Sequence, residues 1–126
     1  MAGSITVSMK GAQGGVAVSI GGGWYARVVD GAREHIASEM GHYIDQIYGA
    51  GDASGEDWAD LTEVSAEGFN VFYRAIRQSI EINAKRLFDD EGMPRPTPFG
   101  TETDQEIITK LEADPRFDPG SRPSRD

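Results

Sequence analysis

The sequence predicts an α+β fold in which an N-terminal β-hairpin packs against two long amphipathic helices, with a short helix near the C-terminus. Two patterns carry this prediction. Apolar and polar residues alternate in the first twenty positions, and apolar residues then recur every three or four positions in two long segments. The 126 residues fit one domain, which we place at residues 1–114, including a proline-rich arm at 93–100. We expect residues 115–126 to form a disordered tail because they hold little apolar surface.

The hairpin is predicted from alternation on both sides of a glycine-rich connection at residues 11–15. Its apolar positions are Ile5, Val7, Met9, Val16, Val18 and Ile20. Two strands alone are marginally stable in water, so a helix or a further strand has to cover their apolar face.

The first long helix is predicted over residues 24–48, where the apolar residues form one stripe. The stripe consists of Tyr25, Val28, Val29, Ala32, Ile36, Met40, Tyr43, Ile44 and Ile47. An alternative makes residues 24–29 a third strand and begins the helix at Asp30 as its N-cap. Both fit the sequence, and we favour the single helix because Tyr25 and Val29 continue the stripe.

The second long helix has a defined start. Ser65 is a natural N-cap, and Val64 and Phe69 have the spacing of a hydrophobic staple. Gly68 stands where a complete capping box would have Glu. The apolar face then comprises Phe69, Phe72, Tyr73, Ile76, Ile80, Ala84 and Leu87. We expect Gly92 to end this helix.

The short third helix is predicted from Thr103 and Glu106, which have the spacing of a capping box. Its apolar residues are Ile107, Ile108 and Leu111. Asp114 precedes a proline and should stop the helix.

The charge balance restricts the function classes. The formal net charge is −9 at pH 7 and the pI is near 4.6. Phosphate binding depends on Lys and Arg, so we expect neither nucleic acid nor a membrane surface as a partner, whereas a basic protein would be attracted. The absence of cysteine excludes disulfides and thiolate chemistry. No apolar segment has the length of a signal-peptide core or a membrane span, which predicts a cytoplasmic protein.

Residues 52–67 contain six acids and no Lys or Arg. Trp58 and Leu61 lie among these acids and offer an apolar anchor to a partner. We therefore predict a binding surface for a basic protein. It is formed by Asp52, Glu56, Asp57, Trp58, Asp60, Leu61 and Glu63.

A competing hypothesis is a small metal-binding or hydrolytic enzyme. His35, Glu39 and His42 are spaced by four and three positions, so on one continuous helix they share a flank. Two imidazoles and a carboxylate can hold zinc with an open fourth position. Because no fourth ligand is evident, we expect no bound metal, no cofactor and no catalytic residues.

A third hypothesis is a structural or assembly subunit. Val71 and Ile82 are predicted to point away from the apolar face of the second helix, near Arg74 and Gln78. An isolated exposed apolar residue needs no explanation, but this pair is compatible with contact with another chain.

Residues 60–77, with the sequence DLTEVSAEGFNVFYRAIR, follow an acidic loop. This segment resembles one found in small acidic immunity proteins of bacterial polymorphic toxin and contact-dependent inhibition systems. The resemblance implies a cytoplasmic inhibitor that occludes the active site of a cognate basic toxin, using acidic residues that mimic or repel the toxin's substrate. It implies no individual binding residue.

Overall fold

The computed structural model describes residues 2–7, 16–90, 92, 94, 97 and 99–121. The α+β class is confirmed, because a three-stranded sheet and several helices share one apolar core. In chain order, the elements are β1 (Ala2–Thr6), β2 (Ala17–Gly21), α1 (Gly22–Trp24), α2 (His42–Ser54), β3 (Trp58–Asp60), α3 (Ala66–Ala84) and α4 (Glu102–Glu112).

The central strand of the sheet is β1, and the strand order is β2-β1-β3. The predicted hairpin is confirmed, since β2 runs antiparallel to β1 and Val18 lies opposite Ile5. On the other side β3 runs parallel to β1, and Ala59 lies opposite Ile5. All three side chains are fully buried. Met9 and the connection at 11–15 lie outside the described residues.

The single helix expected at residues 24–48 is wrong. After α1 the chain forms a π-helix at Tyr25–Asp30 and a 3-10 helix at Gly31–His35, and it then becomes extended at Ile36 and Ala37. The alternative is wrong as well, because residues 24–29 are helical and the third strand lies at Trp58–Asp60 instead.

The apolar stripe crosses this break because both sides of it face the same core. Val29 and Ala32 before the break are fully buried, as is Ile47 after it. The spacing of apolar residues therefore correctly predicts which residues are buried, although the segment does not form one continuous helix.

The predicted N-cap of α3 is confirmed. The Ser65 hydroxyl accepts a hydrogen bond from the backbone N–H of Gly68 at 3.2 Å, and both staple residues, Val64 and Phe69, are buried. The glycine at 68 also has a packing reason. A Cβ there would lie 2.6 Å from the ring of Tyr43 and 2.7 Å from Val64 Cγ1, so no side chain fits.

The end of the second long helix also agrees with the sequence. One turn of π-helix at Lys85–Asp89 extends α3, and Gly92 follows in the left-handed conformation, with φ of 74°. Only glycine adopts that conformation without strain.

The cap of α4 lies two residues earlier than predicted. Thr101, and not Thr103, is the N-cap, and its hydroxyl and backbone N–H exchange hydrogen bonds with Asp104. Both threonines have an acid three residues later. The fold selects the first pair because the buried Asp104 carboxylate also accepts from the indole of Trp24 at 2.8 Å.

The predicted disordered tail is corrected at residues 115–121, which pack on the domain; residues 122–126 lie outside the described residues. Asn70 on α3 donates its side-chain amide to the carbonyl of Arg116 and accepts from the backbone N–H of Asp118, each at 2.9 Å. Side-chain hydrogen bonds thus hold a segment whose composition offers little apolar surface.

Arg116 uses all five of its guanidinium N–H groups. Two of them form a bidentate pair with Asp114, from Nε at 2.8 Å and from Nη2 at 3.0 Å. Nη1 donates to the carbonyls of Leu61 and Val64, and Nη2 also donates to the carbonyl of Val7 at 2.6 Å. One side chain therefore joins the C-terminal segment to the end of β1 and to the loop after β3.

We expect Arg116→Ala to lower the free energy of unfolding by about 3 to 5 kcal/mol, because it leaves the Asp114 carboxylate buried without its partner. Arg116→Lys should not restore stability, since an ammonium has three donors for five acceptor sites. Chemical denaturation measures both. The control is Lys110→Ala, at an exposed basic residue of α4, which should change the free energy of unfolding only slightly. An equally small change for Arg116→Ala would contradict the stabilising role of Arg116.

The start of α3 gives a second prediction. Ser65→Ala should cost about 1 kcal/mol through loss of the cap, whereas Phe69→Ala should cost about 3 kcal/mol or more because it also empties a core site. Thermal and urea unfolding of the two variants check the order of these effects. Equal and negligible losses would show that neither residue stabilises the helix start.

Candidate partner-binding cleft

A cleft of about 470 Å³ opens where the helical segment 25–35, the end of α2 and the turn before β3 meet. Four carboxylates and one guanidinium line it, so its formal charge is −3. The side chains that line it are Tyr25, Asp30, Arg33, Asp52, Glu56 and Asp57. We refer to it as the acidic cleft.

The end of α2 fixes one wall of the acidic cleft. Gly55 adopts the left-handed conformation, with φ of 74°, and its N–H donates to the carbonyl of Asp52. The N–H of Glu56 donates to the carbonyl of Gly51 at 2.9 Å, which completes a Schellman motif. A Cβ at Gly51 would collide with the carbonyl oxygen of Trp58. Glycine at 51 therefore lets the helix end approach β3.

The backbone of α2 adds to the negative potential. The helix ends at Ser54, so the negative end of its dipole lies at the acidic cleft. Both the carboxylates and the dipole favour a cation at this position, such as a Lys or Arg side chain of another protein.

Arg33 orders two of the acids. It pairs with Asp30 at 2.7 Å and forms a bidentate pair with Asp52 at 2.6 and 2.8 Å. The guanidinium carbon lies 4.1 Å above the ring centre of Tyr48. The hydrogen bonds from Arg33 hold the pKa of the Asp52 carboxyl below its ordinary value. Asp52 is therefore ionised and held in one orientation at neutral pH.

Glu56 and Asp57 are the acids of the cleft that remain open to a partner. Both are exposed, and neither carboxylate forms an ion pair with any residue that the structure describes. Their positions are fixed through the backbone, because the carbonyl of Asp57 accepts from the N–H of Ser4 on β1 at 2.9 Å.

Tyr25 contributes a neutral group to the acidic cleft. Its side chain is almost fully buried, and burial raises the pKa of the phenol, with a further increase from the charge of Asp30. The hydroxyl therefore stays protonated at physiological pH and does not add to the negative charge.

The seven residues predicted to bind a partner separate in the structure. Asp52, Glu56 and Asp57 line the acidic cleft. Trp58 and Asp60 are half-buried on β3, where the indole donates to Thr6 at 2.9 Å and the carboxylate of Asp60 accepts from both the backbone and the hydroxyl of Thr62.

The prediction is wrong for Leu61, which is fully buried in the core and cannot reach a partner. Acids surround Leu61 in the sequence, and this setting suits a surface anchor as well as a buried strand end. Glu63 is exposed in the turn that follows.

Sequence reasoning missed Tyr25, Asp30 and Arg33. They precede the acidic segment by about twenty residues or more, and only the packed fold brings them next to it. The one local signal was the spacing of Asp30 and Arg33, which suits an ion pair across a helical turn.

The proposed metal ligands do not share a continuous helix. His35 ends a 3-10 helix, Glu39 lies in a second one at Ser38–Met40, and His42 begins α2. The extended backbone at Ile36 separates the first of these residues from the other two. Across the described part of the chain, no three His, Asp or Glu side chains are grouped closely enough to hold a metal ion.

The outward-facing pair on α3 is only half correct. Val71 is 6% exposed and belongs to the core, whereas Ile82 is 47% exposed. The C-terminal segment near Val71 packs on α3, which the sequence did not predict.

Within the described residues, no helix combines the length and the apolar character that crossing a bilayer requires.

No protein-family model and no curated protein match the sequence. One solved structure has a similar fold. It is the CdiI immunity protein in the complex of the CdiA-CT toxin from Burkholderia pseudomallei E479 with its cognate CdiI. The TM-score is 0.67 at 17% identity, and the match covers 90% of this chain and 97% of the other.

We expect the purified protein to hold no stoichiometric zinc and a chelator to leave its Tm unchanged, because the backbone break separates His35 from His42. Elemental analysis and thermal unfolding with and without chelator test this. A content of about one zinc per chain, lost in His42→Ala, would contradict the prediction and favour the enzyme hypothesis.

Proposed function

We propose that this chain is an inhibitory binding protein, an immunity protein that neutralises a cognate basic toxin by occluding its active site. The observation that carries the proposal is the similarity to a CdiI immunity protein over nearly the full length of both chains. The proposal places the protein in the bacterial cytoplasm, where it would meet a toxin that has entered the cell.

The charge of the chain supports a basic partner. A net charge of −9 attracts a basic protein at distances up to about a Debye length, roughly 8 Å in physiological salt. Such attraction raises the association rate and disfavours acidic competitors. An inhibitor that has to act before its toxin finds a substrate benefits from fast association.

The acidic cleft is the surface that we assign to this contact. Its side chains Glu56 and Asp57 are open, and Asp52 is held by Arg33 in a fixed orientation. A toxin that acts on a polyanion needs Lys or Arg in its active site. Carboxylates presented on a rigid wall can pair with those cations and so exclude the substrate.

The functional prediction uses single charge reversals in the acidic cleft. If a toxin domain is encoded beside its gene, co-expression of this chain should restore growth to cells that express that domain. Glu56→Lys and Asp57→Lys should each slow association with that domain on the order of tenfold at low salt, and less at physiological salt, because the attractive field is weakened. Surface plasmon resonance measures the rates.

The matched control is Glu106→Lys, which makes the same charge change at an exposed residue of α4. All variants should keep the circular dichroism spectrum of the parent chain. If Glu106→Lys slows association as much as the two cleft variants do, the effect comes from total charge, and the cleft is not the binding surface. Failure of the parent chain to protect the cells would refute the immunity function itself.

A further inference from the structure

A second cavity, of about 250 Å³, lies between the helical segment 25–35 and the C-terminal half of α3. It shares no lining residue with the acidic cleft. The side chains that matter for its chemistry are Arg27, Glu34, His35, Ile82, Asn83 and Arg86. We refer to it as the Asn83 cavity.

The wall of this cavity contains an amide without a hydrogen-bond acceptor. Asn83 is 7% exposed, and its Nδ2 is buried with no hydrogen-bond partner among the described residues. A buried N–H that has lost water without gaining an acceptor is unfavourable, and native proteins rarely leave one. The neighbouring Ser79 does not share this deficit, because its hydroxyl donates to the carbonyl of Val28 at 2.7 Å. Among the residues that line this cavity, the missing acceptor is therefore specific to Asn83.

The charges around the cavity indicate what kind of acceptor it would take. Arg27 and Arg86 are exposed, and neither forms an ion pair with a residue that the structure describes. Arg33 and Arg116, by contrast, are paired with acids, and Arg116 also donates to backbone carbonyls. With Glu34 as the one acid, the cavity has a formal charge of +1 in a chain whose total is −9.

We propose that the Asn83 cavity is a second binding site, which takes the carboxylate of a short aliphatic acid. The amide of Asn83 would donate to one carboxylate oxygen, and the guanidinium groups of Arg27 and Arg86 would neutralise its charge. Neutral carbonyl ligands are disfavoured because they would leave both guanidinium groups without a counter-charge. The proposal does not depend on the immunity function.

The dimensions of the cavity limit the ligand. Sites for drug-sized molecules occupy about 300 to 1,000 Å³, so a smaller cavity fits a single acidic side chain or a small dicarboxylate. Ile82 is 47% exposed beside this cavity and supplies an apolar surface for the methylene groups of the acid. The same chemistry is offered by a free acid and by a glutamate side chain of another protein.

Titration of the ¹⁵N-labelled protein with glutarate tests the site by NMR, against sodium chloride of equal ionic strength. We expect the side-chain amide signals of Asn83 to shift with glutarate only. Arg27→Gln and Arg86→Gln should each weaken binding about tenfold or more, as loss of a charged hydrogen bond implies. Lys110→Gln removes the same charge from α4 and should leave binding unchanged. No shift beyond that of chloride, or equal weakening in Lys110→Gln, would overturn the proposal.

A second ligand identifies the source of the carboxylate. Acetyl-glutamate-methylamide presents only a side-chain carboxylate between two peptide groups. Saturable binding of this compound assigns the cavity to a protein side chain, whereas saturable binding of glutarate alone assigns it to a free acid. Either result supports a carboxylate site, and binding of neither compound refutes it.

Asn83→Leu separates the binding role of the amide from a role in folding. Because the replaced amide has no acceptor in the fold, this variant should lose glutarate binding while its Tm stays the same or rises. A clear fall in Tm would show that the amide stabilises the fold and would overturn the argument. Arg27→Gln, at an exposed residue, provides the companion variant in which folding is not affected.

Discussion

The hydrogen bonds of Arg116 connect three parts of the chain that are far apart in sequence. The guanidinium is almost completely buried, pairs with the buried Asp114 and lies 4.6 Å from the centre of the Phe69 ring. Burial acts to raise the pKa of Asp114, but the hydrogen bonds and charge of Arg116 outweigh it, and the pKa is lowered. The pair is therefore ionised when the protein is folded, and each member depends on the other to offset the loss of hydration.

The hydrogen bonds of Arg116 also support the parallel pairing of β1 and β3. The strand β3 has three residues, so few ladder hydrogen bonds hold it. Arg116 binds the carbonyl of Val7 just after β1 and that of Leu61 just after β3, which fixes the two strand ends next to each other. The turn before β3 carries Glu56 and Asp57. The shape of the acidic cleft, at the start of β3, thus depends in part on Arg116, which binds at the other end of that strand.

The sequence predicted best where a local pattern is sufficient. Alternation identified β1 and β2, and the cap at Ser65 defined the start of α3, because both signals arise within a few residues. The third strand was missed since its three residues, beginning at Trp58, lie in an acidic segment that reads as a loop. Its partner, β1, is more than fifty residues away, and no pattern within either segment specifies that contact.

The candidate site shows the same division. Glu56 and Asp57 were found from charge alone, whereas Asp30 required the fold to bring it beside them. Leu61 was misplaced because an apolar residue among acids fits either a surface anchor or a buried strand end, and only the sheet decides between these. Arg116 had no signal, since a single arginine in a polar segment gives no indication of five buried acceptors.

The ion pairs of Arg33 with Asp30 and Asp52 make the acidic cleft more selective than a surface of the same charge without such pairs. Arg33 neutralises part of the charge of Asp30 and Asp52, which lowers the attraction of any cation. However, the bidentate pair already fixes the Asp52 carboxylate. Binding of a partner therefore costs less side-chain entropy in the cleft. A partner that places its cations beside Glu56 and Asp57 gains this benefit without breaking the pair, whereas a diffuse polycation does not. Affinity is therefore lower and discrimination higher, which suits the proposed role of recognising one basic partner.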